Sequence, residues 1–151
     1  MNSIIALCAL LASLSHSEPL LKPQNVQLMD VEITVKNIRS NKGKISIGFF
    51  KDQLSFDKEK PFKSVPCLKQ SVSNGILKVK IQLEPGIYGA SLLDDENDNG
   101  KMDYNVLGIP KEGFGFSNYY HTGFSKPKMQ AFQFEVKAGQ IPKIEMAIRY
   151  L

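Results

Sequence analysis

The 151-residue sequence has no tryptophan, two cysteines, two histidines and two arginines. So few cysteines and histidines exclude a disulfide-rich scaffold and leave no motif for a zinc centre of thiolates and imidazoles. The basic residues are mostly lysines spread along the chain. The net charge of +4 therefore forms no dense patch of the kind that binds nucleic acid. With 42% hydrophobic and 23% charged residues, the chain has the composition of one ordinary globular domain.

The sequence also lacks any hydrophobic run long enough to span a membrane. The longest run, residues 4–14, is about eleven residues and too short to cross a bilayer as a helix. Small residues follow at the spacing of a signal-peptide cleavage site, at Ser13, Ser15 and Ser17. We predict a signal peptide over residues 1–17, a domain over residues 18–151, and export to the periplasm or cell exterior without a transmembrane segment. The alternative is a buried N-terminal helix.

Cleavage near Ser17 leaves one cysteine, Cys67, and one histidine, His121. A lone thiol cannot form an internal disulfide, so the hydrophobic core must hold the domain, with or without a metal. A Cys67–His121 nucleophilic dyad is one alternative. Valine, proline and leucine surround Cys67, and they favour a small apolar core residue instead.

Short stretches of alternating apolar and polar residues, separated by turn residues, predict about seven strands. They cover residues 31–35, 44–50, 65–71, 76–83, 87–93, 129–136 and 144–151. The polar segment 51–63 predicts a longer loop or a short helix. We therefore expect an all-β fold, a single antiparallel β-sandwich of immunoglobulin-like or transthyretin-like type, with a closed barrel as the alternative.

The segment that follows Leu93 has the spacing of a calcium-binding loop. It reads DDENDNGKMDYNVLGIPKEGFGFSN, with oxygen-bearing residues at alternate positions and Gly100 where the backbone must turn sharply. The predicted ligands are Asp95, Asn97, Asn99, the backbone carbonyl of Lys101, and Asp103, with Glu112 as a supplement. Hard oxygen donors of this kind favour Ca²⁺ over zinc or copper.

One position departs from the pattern of an EF-hand. The bidentate glutamate expected at position 12 is replaced by Val106, so Glu112 or Asp94 must substitute for it. We therefore expect weak affinity, about 10⁻⁴ to 10⁻³ M, which suits an extracellular site. The alternative is a metal-free turn, because Asp, Asn and Gly favour turns without any ion.

Beyond the loop, glycine alternates with bulky residues, and aromatic side chains continue for several positions. Gly113 and Gly115 would let the backbone pass close to a neighbouring segment or to a ligand. The predicted partner-binding residues are Phe114, Phe116, Asn118, Tyr119 and Tyr120. In the alternative interpretation the two phenylalanines belong to the core, the tyrosines cover an edge, and His121 is a surface residue.

The stretch EPGIYGASLLDDENDNGKMDYNVLGIPKEGFGFSN resembles the signature of the DUF2141 family, exported bacterial proteins of unknown function. The likeness extends from the strand at Val31 to the closing Ile148-Arg149-Tyr150. The loop is also similar to the calcium loops of the B-type repeats of Gram-positive surface adhesins, which place an acidic residue where this chain has Val106. The family resemblance implies a small envelope or periplasmic β-sandwich, and it brings no catalytic residue or substrate.

These patterns lead to one main functional hypothesis and two alternatives. The main hypothesis is an exported, non-catalytic cell-envelope module in which calcium locks the loop and presents the aromatic segment to a protein or polysaccharide partner. The first alternative is a hydrolase that uses paired carboxylates among Asp94, Asp95 and Glu112. Against it, the chain has no nucleophile elbow or zinc motif. The second is an accessory domain that self-associates through an edge strand.

Overall fold

The computed structural model describes residues 27–151, which form eight strands and one short α-helix. The strands are β1 (Met29–Lys36), β2 (Lys44–Phe50), β3 (Lys63–Leu68), β4 (Leu77–Leu83), β5 (Gly86–Asp95), β6 (Gly113–Phe116), β7 (Gln133–Val136) and β8 (Lys143–Ala147), and helix α1 (Gln53–Asp57) follows β2. The predicted signal peptide, residues 1–17, lies outside the described residues. Within residues 27–151, no helix is long and apolar enough to cross a membrane.

The strands form two sheets. The smaller has the order β4-β1-β8, in which β1 is antiparallel to β4 and parallel to β8. The larger has the order β3-β2-β5-β6, and its pairs are all antiparallel. The fifth strand of the larger sheet, β7, pairs with the first half of β5. Strand β6 pairs with the second half of β5 on the same side. The all-β sandwich predicted from the alternating pattern is confirmed, with eight strands and one parallel pair.

The core lies between the two sheets and is built from alternate residues of each strand. Val31, Ile33 and Val35 of β1 are at most 1% exposed, and they share one apolar cluster with Ile45 and Ile47 of β2. Because successive side chains point to opposite faces of a strand, the sequence alternation maps directly onto burial. Each such buried side chain contributes about 1.5 to 3 kcal/mol relative to an exposed one.

A second apolar cluster covers part of the outer face of the larger sheet. Asp52 caps helix α1 by accepting a hydrogen bond from the Ser55 amide at 2.8 Å. The helix then places Phe56 against Phe50 and Phe132, with ring centroids 5.3 and 4.9 Å apart. This cluster leaves the rest of the outer face, beside the loop that follows β5, uncovered by secondary structure.

Four strand predictions need correction. The strand predicted over residues 65–71 ends at Leu68, because Lys69–Ser71 form a 3₁₀ turn, and the strand predicted over residues 144–151 ends at Ala147. The strand predicted over residues 129–136 begins only at Gln133, because Met129–Phe132 form a 3₁₀ turn. Strand β6 was not predicted, since its two glycines break the apolar alternation. A Cβ atom on Gly115 would lie 2.8 Å from the Ala147 carbonyl oxygen, and one on Gly113 would overlap Tyr150 and Ile148. The prediction that these glycines permit a close backbone approach is therefore confirmed.

Candidate calcium loop and adjoining groove

The predicted ligands lie on the loop that joins β5 to β6. Asp95 is the last residue of β5, and Glu112 immediately precedes β6. Between them the chain turns through positive φ at Asp98 (60°) and at Gly100 (79°). Glycine adopts this conformation without steric cost, so the turn predicted at Gly100 is confirmed. The curl brings the backbone amides of Asn99 and Gly100 back to the Asp95 carboxylate.

Asp95 anchors the beginning of the loop. Its carboxylate is buried and accepts hydrogen bonds from the amides of Asn99 at 3.0 Å and Gly100 at 2.9 Å. The Lys44 ammonium lies 3.5 Å from the same carboxylate, across the β2–β5 pair. Hydrogen bonds to an ionised acceptor are the strong ones, so Asp95 fixes the curl of the chain around itself.

The Asp103 carboxylate forms hydrogen bonds with two further predicted ligands. Its carboxylate accepts hydrogen bonds from the side-chain amides of Asn97 and Asn99, each at 2.7 Å. The amide oxygens of the two asparagines accept the backbone N–H groups of Asn99 and Lys101, as in Asx turns. A cation between these groups would require the asparagines to turn their oxygens toward Asp103, and ligation of the cation would replace these Asx-turn hydrogen bonds.

Glu112 completes this group from the other end of the loop. It is 4% exposed, and its Oε2 accepts the Asp103 amide at 3.3 Å. Its Oε1 is buried and has no hydrogen-bond partner among residues 27–151. Burial raises the pKa of the Glu112 carboxyl, and the negative charges of Asp95 and Asp103 raise it further. A buried carboxylate oxygen with no partner is unfavourable, and a bound cation would satisfy it.

The structure distinguishes the two proposed substitutes for position 12. Asp94 points to the inner side of β5, away from the loop, where it pairs with Lys69 and accepts the Tyr150 hydroxyl at 2.5 Å. Val106 lies fully exposed at the loop tip. Glu112 is therefore the supplement that faces the other predicted ligands. Because Asp94 and Asp95 lie on opposite faces of β5, they do not form a carboxylate pair with each other.

Carboxylates alone do not complete a metal site. In the part of the chain that the structure describes, no three His, Cys, Asp or Glu side chains form a group able to hold a metal ion. A cation would therefore need the amide oxygens of Asn97 and Asn99 and the Lys101 carbonyl as well as the carboxylates. Mixed sets of this kind are what Ca²⁺ accepts, since it takes six to eight oxygen ligands in flexible geometry.

The loop also forms one wall of a groove of about 680 Å³ on the outer face of the larger sheet. Small residues of adjacent strands form its floor: Ser46, Gly48, Ser64 and Ser91. Opposite the loop stand Phe56 of α1 and the segment 121–127, and the groove has the size of a small-ligand site. A cation that fixed the loop would therefore also fix one side of this groove.

The predicted partner-binding residues divide into two groups. Phe114 and Phe116 line the groove, although Phe116 is only 7% exposed and packs against Phe132 with a centroid distance of 4.9 Å. Asn118 is structural, since its side chain accepts the Glu145 amide at 2.9 Å. Tyr119 is half-buried and Tyr120 is exposed, and neither lines the groove. The aromatic segment is thus partly a core element, as its alternative interpretation held.

The comparison with protein families shows to which family this chain belongs. Residues 33–143 match the family described as uncharacterized protein conserved in bacteria, DUF2141. The chain belongs to the DUF2141 family. The match runs from β1 to the first residue of β8, so it includes the whole loop and the floor of the groove. No curated protein and no solved structure matches the chain.

In the described part of this DUF2141 chain, Cys67 and His121 lie on opposite faces of the larger sheet. Cys67 belongs to the core cluster, and burial raises the pKa of its thiol. His121 packs against Phe116 on the outer side, and its Nε2 lies 2.6 Å from the Ser125 carbonyl oxygen. The fold therefore does not bring the two together as a nucleophilic dyad.

Sequence reasoning missed a polar network beside the loop. The Arg39 guanidinium donates two hydrogen bonds to Glu96, at 3.1 and 2.5 Å, and lies 4.1 Å above the Tyr150 ring. The hydrogen bonds from Arg39 are the main cause that lowers the pKa of Glu96 to about 2. The network ties the first loop residue to the C-terminal segment, and its partners are too far apart in the chain to leave a local pattern.

Proposed function

We propose that this DUF2141 protein is an exported, non-catalytic cell-envelope module whose β5–β6 loop binds Ca²⁺. The ligands would be Asp95, Asn97, Asn99, the Lys101 carbonyl, Asp103 and Glu112. The observation that carries the proposal is the buried Oε1 of Glu112, which has no hydrogen-bond partner in the described part of the chain. The negative charges of Asp95 and Asp103 act on the same carboxyl group. An Asx turn alone would not need a buried carboxylate at this place.

The charge balance of the loop supports the same proposal. Glu112 accepts the Asp103 amide and lies in the field of the Asp95 and Asp103 carboxylates, and Lys44 contacts Asp95. Lys44 also pairs with Asp98, so its charge is shared. A divalent cation would offset the excess negative charge and supply the partner that Glu112 lacks.

Export is proposed from the sequence and agrees with a weak calcium site. The predicted signal peptide would deliver the domain to a compartment where millimolar calcium can fill a site of this affinity class. We expect the calcium-fixed loop to hold one wall of the groove, so that a protein or polysaccharide partner meets a preformed surface.

The experiment that tests calcium binding is thermal unfolding of the double variant Asp95→Asn/Asp103→Asn. We expect calcium to raise the melting temperature of the wild type and to leave that of the double variant unchanged, because two of the three carboxylates are gone. The matched control is Asp98→Asn, which removes a carboxylate of the same loop that is not a proposed ligand. An equal calcium response in the double variant would refute the ligand assignment.

The groove is tested with a blocking substitution and a panel of soluble polysaccharides in calcium buffer. Ser91→Trp fills the floor, whereas Ile87→Trp places the same side chain at an exposed position of β5 that does not line the groove. Binding by the wild type and Ile87→Trp, with loss in Ser91→Trp, would support a polysaccharide partner. No binding to any member by the wild type would reject it in favour of a protein.

A further inference from the structure

A lysine and an aspartate are buried together on the inner side of the larger sheet. Lys69 follows β3 in a 3₁₀ turn and is 3% exposed, and Asp94 of β5 is fully buried. Among residues 27–151, Lys69 is the one buried lysine, and the others are half-buried or exposed. Since lysine is rarely buried without a specific reason, this pair needs an explanation beyond surface ion pairing.

The contact between the two side chains does not have the geometry of an ordinary ion pair. Lys69 Nζ touches Asp94 Oδ1, yet neither atom takes part in a hydrogen bond within the described part of the chain. An ammonium group carries three N–H donors, and burying all of them without an aligned acceptor is strongly unfavourable. The surface pair of Lys36 and Glu145, by contrast, is aligned as a hydrogen bond.

Tyr150 occupies the other oxygen of the same carboxyl group. Its hydroxyl donates to Asp94 Oδ2 at 2.5 Å and accepts the Arg39 backbone amide at 3.2 Å. Burial and the hydrogen bond to Asp94 raise the pKa of Tyr150, so the phenol stays protonated. The Asp94 carboxyl group therefore contacts the Lys69 nitrogen through Oδ1 and the neutral Tyr150 hydroxyl through Oδ2.

We propose that Lys69 and Asp94 join in an intramolecular isopeptide bond. A bond forms between Lys69 Nζ and Asp94 Cγ, and one Cγ–O bond of the carboxylate breaks. The ammonium group starts with three protons; one stays on the amide nitrogen, and two leave with the departing oxygen as water. The reaction needs no oxidant, reductant or co-substrate, and it converts two buried charges into a neutral amide.

The surroundings supply what this condensation requires. The Lys69 nitrogen lies against the Asp94 carboxyl group, so the reacting atoms are already in contact and little motion is needed for the attack on Cγ. The Tyr150 hydroxyl, hydrogen-bonded to Oδ2, is placed to stabilise the negative charge that develops on that oxygen in the tetrahedral intermediate. Burial keeps out the water that would hydrolyse the product.

The bond would link the end of β3 to β5 across the intervening strand β2. Strand β3 lies at the edge of the larger sheet, and the described residues contain one cysteine, Cys67, which is free. A covalent link of this kind would restrict the unfolded chain as a disulfide does. It would hold the edge strand β3 in the sheet after the proposed export.

The test is the mass of the purified wild-type protein with its N-terminus determined. We expect a mass lower than that of the sequence by one water molecule, and a tryptic fragment in which the peptides of Lys69 and Asp94 are joined. Asp94→Asn should give the same cross-linked mass, with loss of ammonia instead of water. Lys69→Met should keep its full sequence mass.

Tyr150→Phe separates the proposed chemistry from simple proximity. Without the hydroxyl we expect a mixture of linked and unlinked chains at early times after expression, with the linked fraction rising on incubation. The wild-type measurement does not depend on whether any variant folds. A wild-type protein with its full sequence mass, and with the two peptides recovered separately, would overturn the proposal.

Discussion

Replacing Glu112 by glutamine is expected to change stability in opposite directions with and without calcium. Without calcium, the Glu112 carboxyl is buried under the influence of Asp95 and Asp103, and its Oε1 has no hydrogen-bond partner among the described residues. Glutamine has the same shape, keeps an oxygen for the Asp103 amide and removes the charge. Leaving a buried carboxylate unsatisfied costs at least about 1 to 3 kcal/mol, so removal of the charge in Glu112→Gln is expected to raise the melting temperature in EDTA by about 2 to 12 °C.

The dependence on pH gives the same prediction a second readout. The pKa of Glu112 is raised in the folded state, so the protein is most stable where this group is protonated in both states. Stability is lost as the pH rises through the raised pKa of the folded state. In EDTA, the difference in stability between the variant and the wild type should therefore grow from acidic to neutral pH.

Calcium should reverse the order, because the ionised carboxylate becomes a ligand. In ten millimolar calcium we expect the wild type to gain stability and Glu112→Gln to gain much less. The control Glu84→Gln neutralises an exposed carboxylate outside the loop and should change neither measurement. Thermal unfolding in both buffers is the assay. A variant that is less stable than the wild type in EDTA would refute the idea that Glu112 is an unsatisfied charge.

Two further predictions concern the support of the loop. Gly43→Ala should destabilise the protein by more than about 3 kcal/mol, because φ is +63° and the added Cβ would overlap the Asp95 carbonyl. Gly139→Ala, with φ of +76° but open space, should cost about 1 kcal/mol in urea unfolding, and equal effects would contradict this reasoning. The pKa of Glu96 is lowered from 4.5 to about 2, so the stability that Arg39 gives it is complete above pH 4.5 and lost as the pH falls toward 2. Urea unfolding across that range should show a slope that Glu96→Gln abolishes; an unchanged slope would assign the acid sensitivity to other groups.

The features that could be predicted from the sequence are local ones. The alternation in β1 and β2 gives both the strands and the buried face, because the period of two is a property of consecutive residues. The turn at Gly100 and the alternate oxygen donors from Asp95 follow from spacing within one loop. Glu112 lies nine positions beyond Asp103. It could be predicted as a ligand because Val106 stands at the position where a calcium loop has a carboxylate.

The features that were missed depend on residues far apart in the chain. Strand β6 lacks the alternation of apolar and polar side chains, because Gly113 and Gly115 make room for the C-terminal segment that packs on them. Lys69 has the sequence character of a surface residue, and its burial results from its contact with Asp94 of another strand. No local pattern encodes such a pairing, because it depends on which strands become neighbours in the sandwich.

The most direct test of the central claim is thermal unfolding of the wild-type protein in EDTA, in calcium and in magnesium. At ten millimolar calcium, a dissociation constant of about 10⁻⁴ to 10⁻³ M predicts a stabilisation of about 1.4 to 2.7 kcal/mol. Magnesium should stabilise much less, because it requires near-octahedral geometry. A melting temperature that climbs with calcium in this way would support the loop as a calcium site. An unchanged melting temperature across the range would contradict it and leave the loop as a metal-free turn.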